Sequence, residues 1–135
     1  LLGLGSNIEP ELHLAQAASE LRGRFPEALF SPVYRSAAVG MAGDDFLNAC
    51  CLLADVADLA ELQLWLKALE DAHGRDRSEG SWQPRTLDLD LLMVDGEIVD
   101  ADFYRYGHIH VPANDLLPQL DSPGSNALRQ VPLRL

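Results

Sequence analysis

The run "TLDLDLLMVDG", residues 86–96, sets two carboxylates one residue apart inside an otherwise apolar stretch. In a strand, residues i and i+2 share a face and lie about 6.5–7 Å apart. Asp88 and Asp90 would then point one way, and Leu87, Leu89 and Leu91 the other. Two ionised carboxylates that close repel each other, more strongly where water is scarce. A hard cation relieves the repulsion. Mg2+ takes one or two protein carboxylates and fills its shell with phosphate oxygens and water. An exposed strand with an acidic outer face accounts for the same spacing more plainly.

The neighbourhood favours the cation. Arg75, Arg77 and Arg85 stand just upstream in "RDRSEGSWQPR", with Trp82 in the same polar loop. Guanidinium groups fork onto phosphate oxygens, so groups suited to phosphate stand beside groups suited to metal. Taken singly, the arginines are an ordinary solvated loop, Trp82 a core or lid residue, and Glu70 a surface acid. Together they describe a site for a metal-bound polyphosphate.

Several elements must position this cluster. "LLGLG" reads as a short apolar strand closed by glycine. Ser6 and Asn7 are cap candidates for a first helix, Pro10 suits its first turn, and Leu14, Ala18, Leu21 and Phe25 recur at helical spacing. "ALFSPVYRSAAVG" reads as a strand running into a loop, and "DFLNACCLLADV" as a second apolar strand. "DLAELQLWLKALEDAHG" predicts a helix with Asp58 and Glu61 as a capping box, Leu62, Trp65 or Leu66, and Leu69 as its buried stripe, and Gly74 as its stop. Asp95-Gly96 predicts a tight hairpin turn after the aspartate strand. The order β-α-β-β-α-β specifies an α+β, ferredoxin-like antiparallel sheet with both helices on one face and an added hairpin towards the C-terminus. The opposite face would be free for a ligand. "DSPGSNALRQVPLRL" reads as a loop and an irregular tail.

The 135 residues fit a single domain, 1–135. A net charge of −11 excludes a basic nucleic-acid face, and no apolar run approaches the ~20 residues that span a bilayer. Cys50 and Cys51 are adjacent in a predicted strand, so they should face opposite sides rather than form a disulfide or zinc site. A reducing, cytoplasmic setting is expected. The chain opens on Leu1, so a targeting segment upstream would not be visible.

"WQPRTLDLDLLMVDG" resembles the signature of the 6-hydroxymethyl-7,8-dihydropterin pyrophosphokinase family, Trp-Gly-Pro-Arg-Thr-Leu-Asp-Leu-Asp, from which only Gln83 departs. "LGSN", "SPVYRSAAVG", "DFLNA" and "LEDAHGRDR" follow the family's order. The resemblance covers about Leu1 to Asp100. It implies a ferredoxin-like fold and transfer of the β,γ-pyrophosphoryl unit of ATP to the hydroxymethyl group of a reduced pterin, leaving AMP. By position, Asp88 and Asp90 would hold two Mg2+ ions. Arg75, Arg77 and Arg85 would contact phosphates, and Trp82 would close over the site. Lys67, where the family more often has glutamine, and Glu70 would lie on the nucleotide side. Asn48 would read the pterin's polar edge and Phe46 would stack on its face, while Ser36 and Val39 would supply backbone contacts. A monomer acting on ATP and a pterin is expected, with no nucleic acid and no membrane.

Beyond the predicted hairpin, and at one position in the loop before Trp82, the sequence departs from the family. The Pro-His element is absent, Ser81 replaces a loop arginine, Tyr106 stands where an arginine belongs, and His108 stands where the second pterin-stacking aromatic belongs. A second reading is therefore a paralogue that binds pterin or nucleotide without transfer. In a third, "GHIH" is a strand that adds His108 and His110 to the aspartates as a transition-metal site. The plainest is an interaction module without a ligand.

Overall fold

A computed structural model describes residues 1–36, 45–74, 87–101, 103–118 and 128–135. The main sheet is antiparallel, in the order β5 (Asp88–Leu91), β1 (Leu2–Ser6), β4 (Phe46–Leu52), β3 (Val33–Ser36), β8 (Arg129–Val131). A two-residue strand, β2 (Leu29–Phe30), also pairs with β4. The predicted "ALFSPVYRS" strand is thus broken at Ser31-Pro32, where proline cannot donate to the ladder. Ser31 bridges the gap: its N–H donates to the Cys50 carbonyl at 2.9 Å and its Oγ accepts from the Cys50 N–H at 2.8 Å.

Helices α1 (Pro10–Arg24) and α2 (Leu59–Ala72) cover one face. Leu14, Ala17 and Leu21 meet Leu62, Leu66 and Leu69 over Leu2, Leu4, Leu47, Ala49, Leu87 and Leu89. The expected stripes are present, with Leu66 buried and Trp65 at the margin. Asp58 caps α2, accepting from the Glu61 N–H at 3.1 Å, and Gly74 follows the helix with φ +83°. The expected cap of α1 is a correction. Ser6 ends β1 fully buried, and the N-cap is Glu9, in the left-handed region with no side-chain cap; Pro10 does open the helix.

The opposite face is not wholly free, contrary to expectation. Helix α3 (Gly107–Leu116) lies on it, and a second small core joins Leu1, Cys50, Leu92, Met93, Phe103 and Ala113. Cys50 belongs to this core and Cys51 to the larger one, so the two thiols do face opposite sides. Tyr34 donates its hydroxyl to Asp115 and ties the C-terminal end of α3 to β3. The expected hairpin is present as β6 (Met93–Val94) and β7 (Glu97–Ile98). Asp95 and Gly96 both have positive φ, as a type I′ turn requires. The tail is less irregular than its composition suggests, because β8 finds a free edge on β3.

Candidate functional site

Strand alternation decides which side chains face α3 and which face the two long helices. Leu87 and Leu89 are buried with the helices, so Asp88 and Asp90 turn to the other face, as their spacing predicts. The two carboxyls share that face closely enough to act on each other's charge. Partial loss of water and the charge of Asp88 push the Asp90 carboxyl up to about 7, with Glu70 and Asp100 adding to the effect. Asp90 still reaches solvent, so an incoming cation has access to it. Such a pair is what a divalent ion relaxes. Among the described residues no group of three or more His, Cys, Asp or Glu side chains is arranged to hold a metal. Two carboxylates alone suit Mg2+, which draws its remaining ligands from phosphate and water.

Register extends the site across the sheet. Gly5 in β1 pairs with Asp88 on one side and with Asn48 on the other. These three residues form one row on the open face, and the outer two lie two strand spacings apart, roughly 10 Å. Gly5 has no side chain to fill the space between them. A Cβ there would meet Asn48 Oδ1 at 3.2 Å and Phe46 Cδ1 at 3.8 Å. Asn48 is buried and donates through Nδ2 to Ser36 Oγ at 2.7 Å. Asn48, Ser36 and Phe46 thus make one end of a trough, and the aspartates the other.

Glu70 has a part that sequence alone did not reveal. It is buried near the end of α2, and its Oε2 accepts the Leu89 N–H at 2.8 Å. Leu89 lies between the two aspartates on the edge strand, so this bond fixes the backbone that aims both of them. Lys67 is exposed one turn earlier on the same helix. Arg75, Arg77, Arg85, Trp82 and Val39 lie outside the described residues.

The "GHIH" expectation is corrected, because the segment is the first turn of α3 and not a strand. Residues two apart on a helix point about 200° apart, so His108 and His110 cannot share a face. His110 is buried, with its ring centroid 6.4 Å from that of Tyr104. His108 is half-buried and stacks on Tyr106 with ring centroids 5.3 Å apart. Burial lowers the His108 imidazole below its ordinary value and His110 adds to this, while Asp88 and Asp100 pull it back up. The alternation of Ile109 and Val111 with histidine suggested a strand. Burial of His110, Pro112 and Ala113 against the Cys50 face decides for a helix.

The contributions of Gly5 and Glu70 were not read in advance. The signal for Gly5 was the "GLG" spacing, two glycines on one face of a strand, which marks a close approach. No local signal marked the edge contact of Glu70.

A family model described as 7,8-dihydro-6-hydroxymethylpterin-pyrophosphokinase matches residues 1–119. The chain is 33% identical over 144 residues to the 2-amino-4-hydroxy-6-hydroxymethyldihydropteridine pyrophosphokinase of Pseudomonas aeruginosa, covering 96% of this chain and 87% of that protein. It is 30% identical over 116 residues to the protein of the same name from Pseudomonas putida, covering 83% and 95%. With the Synechocystis protein of that name it shares 41% identity over 95 residues, 68% of this chain and 48% of that protein. With a match that runs from the first strand through the aspartate pair to the end of α3, this chain belongs to the 7,8-dihydro-6-hydroxymethylpterin-pyrophosphokinase family.

Proposed function

We infer that this chain performs its family's reaction along the Gly5 row, with the pterin at the Asn48 end and the polyphosphate at the aspartate end. The reaction is transfer of pyrophosphate from ATP to 6-hydroxymethyl-7,8-dihydropterin, giving AMP and the pterin diphosphate. The observation that carries the assignment of ends is the shared register of Asn48, Gly5 and Asp88. A flat ring seated against Phe46 and Asn48 can lie over the glycine and present its hydroxymethyl group towards the aspartates.

Asp88 and Asp90 hold the divalent ions, two Mg2+ with ATP, and these supply charge neutralisation for the transferred pyrophosphoryl unit. Asp88 and Asp90 fit this part because they converge and repel. Glu70 and the Leu89 N–H keep them aimed. Arg75, Arg77 and Arg85 contact phosphates, Trp82 closes over the site, Lys67 lies on the nucleotide side, and Val39 and Ser36 flank the pterin. These roles rest on the resemblance of the "WQPRTLDLD" and "SPVYRSAAVG" segments. His108, on the first turn of α3, walls the site beside Asp88.

Action as a monomer is supported by a site assembled from one chain. A cytoplasmic setting is supported by the free thiols of Cys50 and Cys51. Among the described residues no helix is long and apolar enough to cross a membrane.

A turnover assay with Mg-ATP and the reduced pterin, following AMP, tests the reading. Steady AMP formation is expected, abolished in Asp88→Ala. Saturable pterin binding with no AMP would leave only the binding paralogue, and unchanged turnover in Asp88→Ala would remove the aspartates from the chemistry.

A further inference from the structure

Asn48 is 6% exposed, and its amide has two ends with different fates. The NH2 end donates to Ser36 Oγ at 2.7 Å. The carbonyl end has no hydrogen-bond partner among the described residues and stands 3.2 Å from where a Gly5 Cβ would be. A buried amide oxygen without a partner costs free energy that a ligand donor would recover. Which end faces the trough is therefore a matter of chemistry. An oxygen there accepts from a ring N–H, whereas an NH2 group there would need an acceptor.

We propose that Ser36 is a positioning residue whose hydroxyl holds the Asn48 amide with its oxygen over Gly5, so that the trough selects a heterocycle edge carrying an N–H donor. This rests on the reading of the Asn48 end as the pterin end, and it adds a role for the Ser36 side chain beyond the backbone contact. Ser36 and Asn48 lie on adjacent strands, β3 and β4, on one face and two residues out of direct register: Ser36 pairs with Phe46, and Tyr34 pairs with Asn48. The strands thus hold both partners, and the hydroxyl has one task, to occupy the NH2 end. Without it the amide is free to rotate and offers either end to the ligand.

The test is fluorescence titration with 6-hydroxymethylpterin, alongside KM values for the reduced pterin and Mg-ATP. Ser36→Ala should weaken pterin binding about threefold to tenfold, the range of one neutral hydrogen bond. The KM for Mg-ATP should not change, while the melting temperature should fall by a few degrees, because the buried Asn48 NH2 loses its acceptor. Ser36→Thr, which keeps the hydroxyl and suits a strand, should restore binding. In an Asn48→Leu background, Ser36→Ala should add nothing further. Unchanged pterin binding in Ser36→Ala, failure of threonine to rescue, or full additivity with Asn48→Leu would each overturn the proposal. Pterin binding by the parent protein without AMP formation would overturn transfer alone and leave the role of Ser36 standing. No pterin binding at all would overturn both.

Discussion

Asp88 and Asn48 face the same side of the sheet as the two register partners of a single glycine. One is half of a repelling carboxylate pair and the other is a buried amide with an open oxygen. What separates them is one strand's width with no side chain in it. The proposed function seats the pterin over this gap, and Gly5→Ala tests it. The added methyl would press on Asn48 Oδ1 and Phe46, at an overpacking cost of about 1–3 kcal/mol. Pterin KM should rise on the order of tenfold while the KM for Mg-ATP stays within about twofold, read in one steady-state matrix.

Asp90 makes the metal-free protein sensitive to pH. Its folded pKa, about 7, lies above that of an unfolded aspartate, about 3.9. Between those values the native state binds more protons than the unfolded one, so stability falls as pH rises from about 4 to 7. In EDTA the melting temperature of the parent protein should decline over that window relative to Asp90→Asn. Added Mg2+ should raise it more at pH 7.5 than at pH 5, because the ion competes with the proton. Parallel melting curves for the two proteins would remove Asp90 as the cause.

Glu70 can be separated from a phosphate-side role by two substitutions. Glu70→Ala leaves the buried Leu89 N–H without its acceptor, at about 1–3 kcal/mol. It should also lower kcat, because the backbone between the aspartates loosens. Glu70→Gln keeps an acceptor oxygen and should preserve most of both. If glutamine proves as damaging as alanine, the charge of Glu70 matters and not its hold on β5.

Tyr34 and Asp115 report on the seating of α3. The hydroxyl is pushed up to about 12 by burial and by its bond to Asp115. Spectroscopic titration should therefore find this tyrosine ionising about two units above the usual value near 10. Tyr34→Phe should lower stability by about 0.5–1.5 kcal/mol. A further expected effect is weaker pterin binding, since α3 walls the trough. Unchanged melting and binding would mean that α3 is held by the Cys50–Ala113 core alone.

Much of this was legible in the sequence because it depends on local chemistry. The period-two run from Leu87 to Leu91 fixed the direction of both aspartates, and the buried neighbours bear that out. Asp58 acts on the adjoining helical turn through its side chain, Gly74 and the Asp95-Gly96 turn act through their own backbone, and all were read correctly. The expected Ser6 and Asn7 cap failed because burial of Ser6 in β1 outweighs its capping preference.

The sequence by itself determined the family, the two long helices and the convergent aspartates, because each follows from residue type and short-range spacing. Only tertiary structure decided that His108 and His110 part on a helix, that β8 completes an edge, that Glu70 grips Leu89, and that Gly5 joins Asp88 to Asn48. Register and burial depend on contacts between residues far apart in the chain, and local preference yields wherever a larger apolar surface is covered.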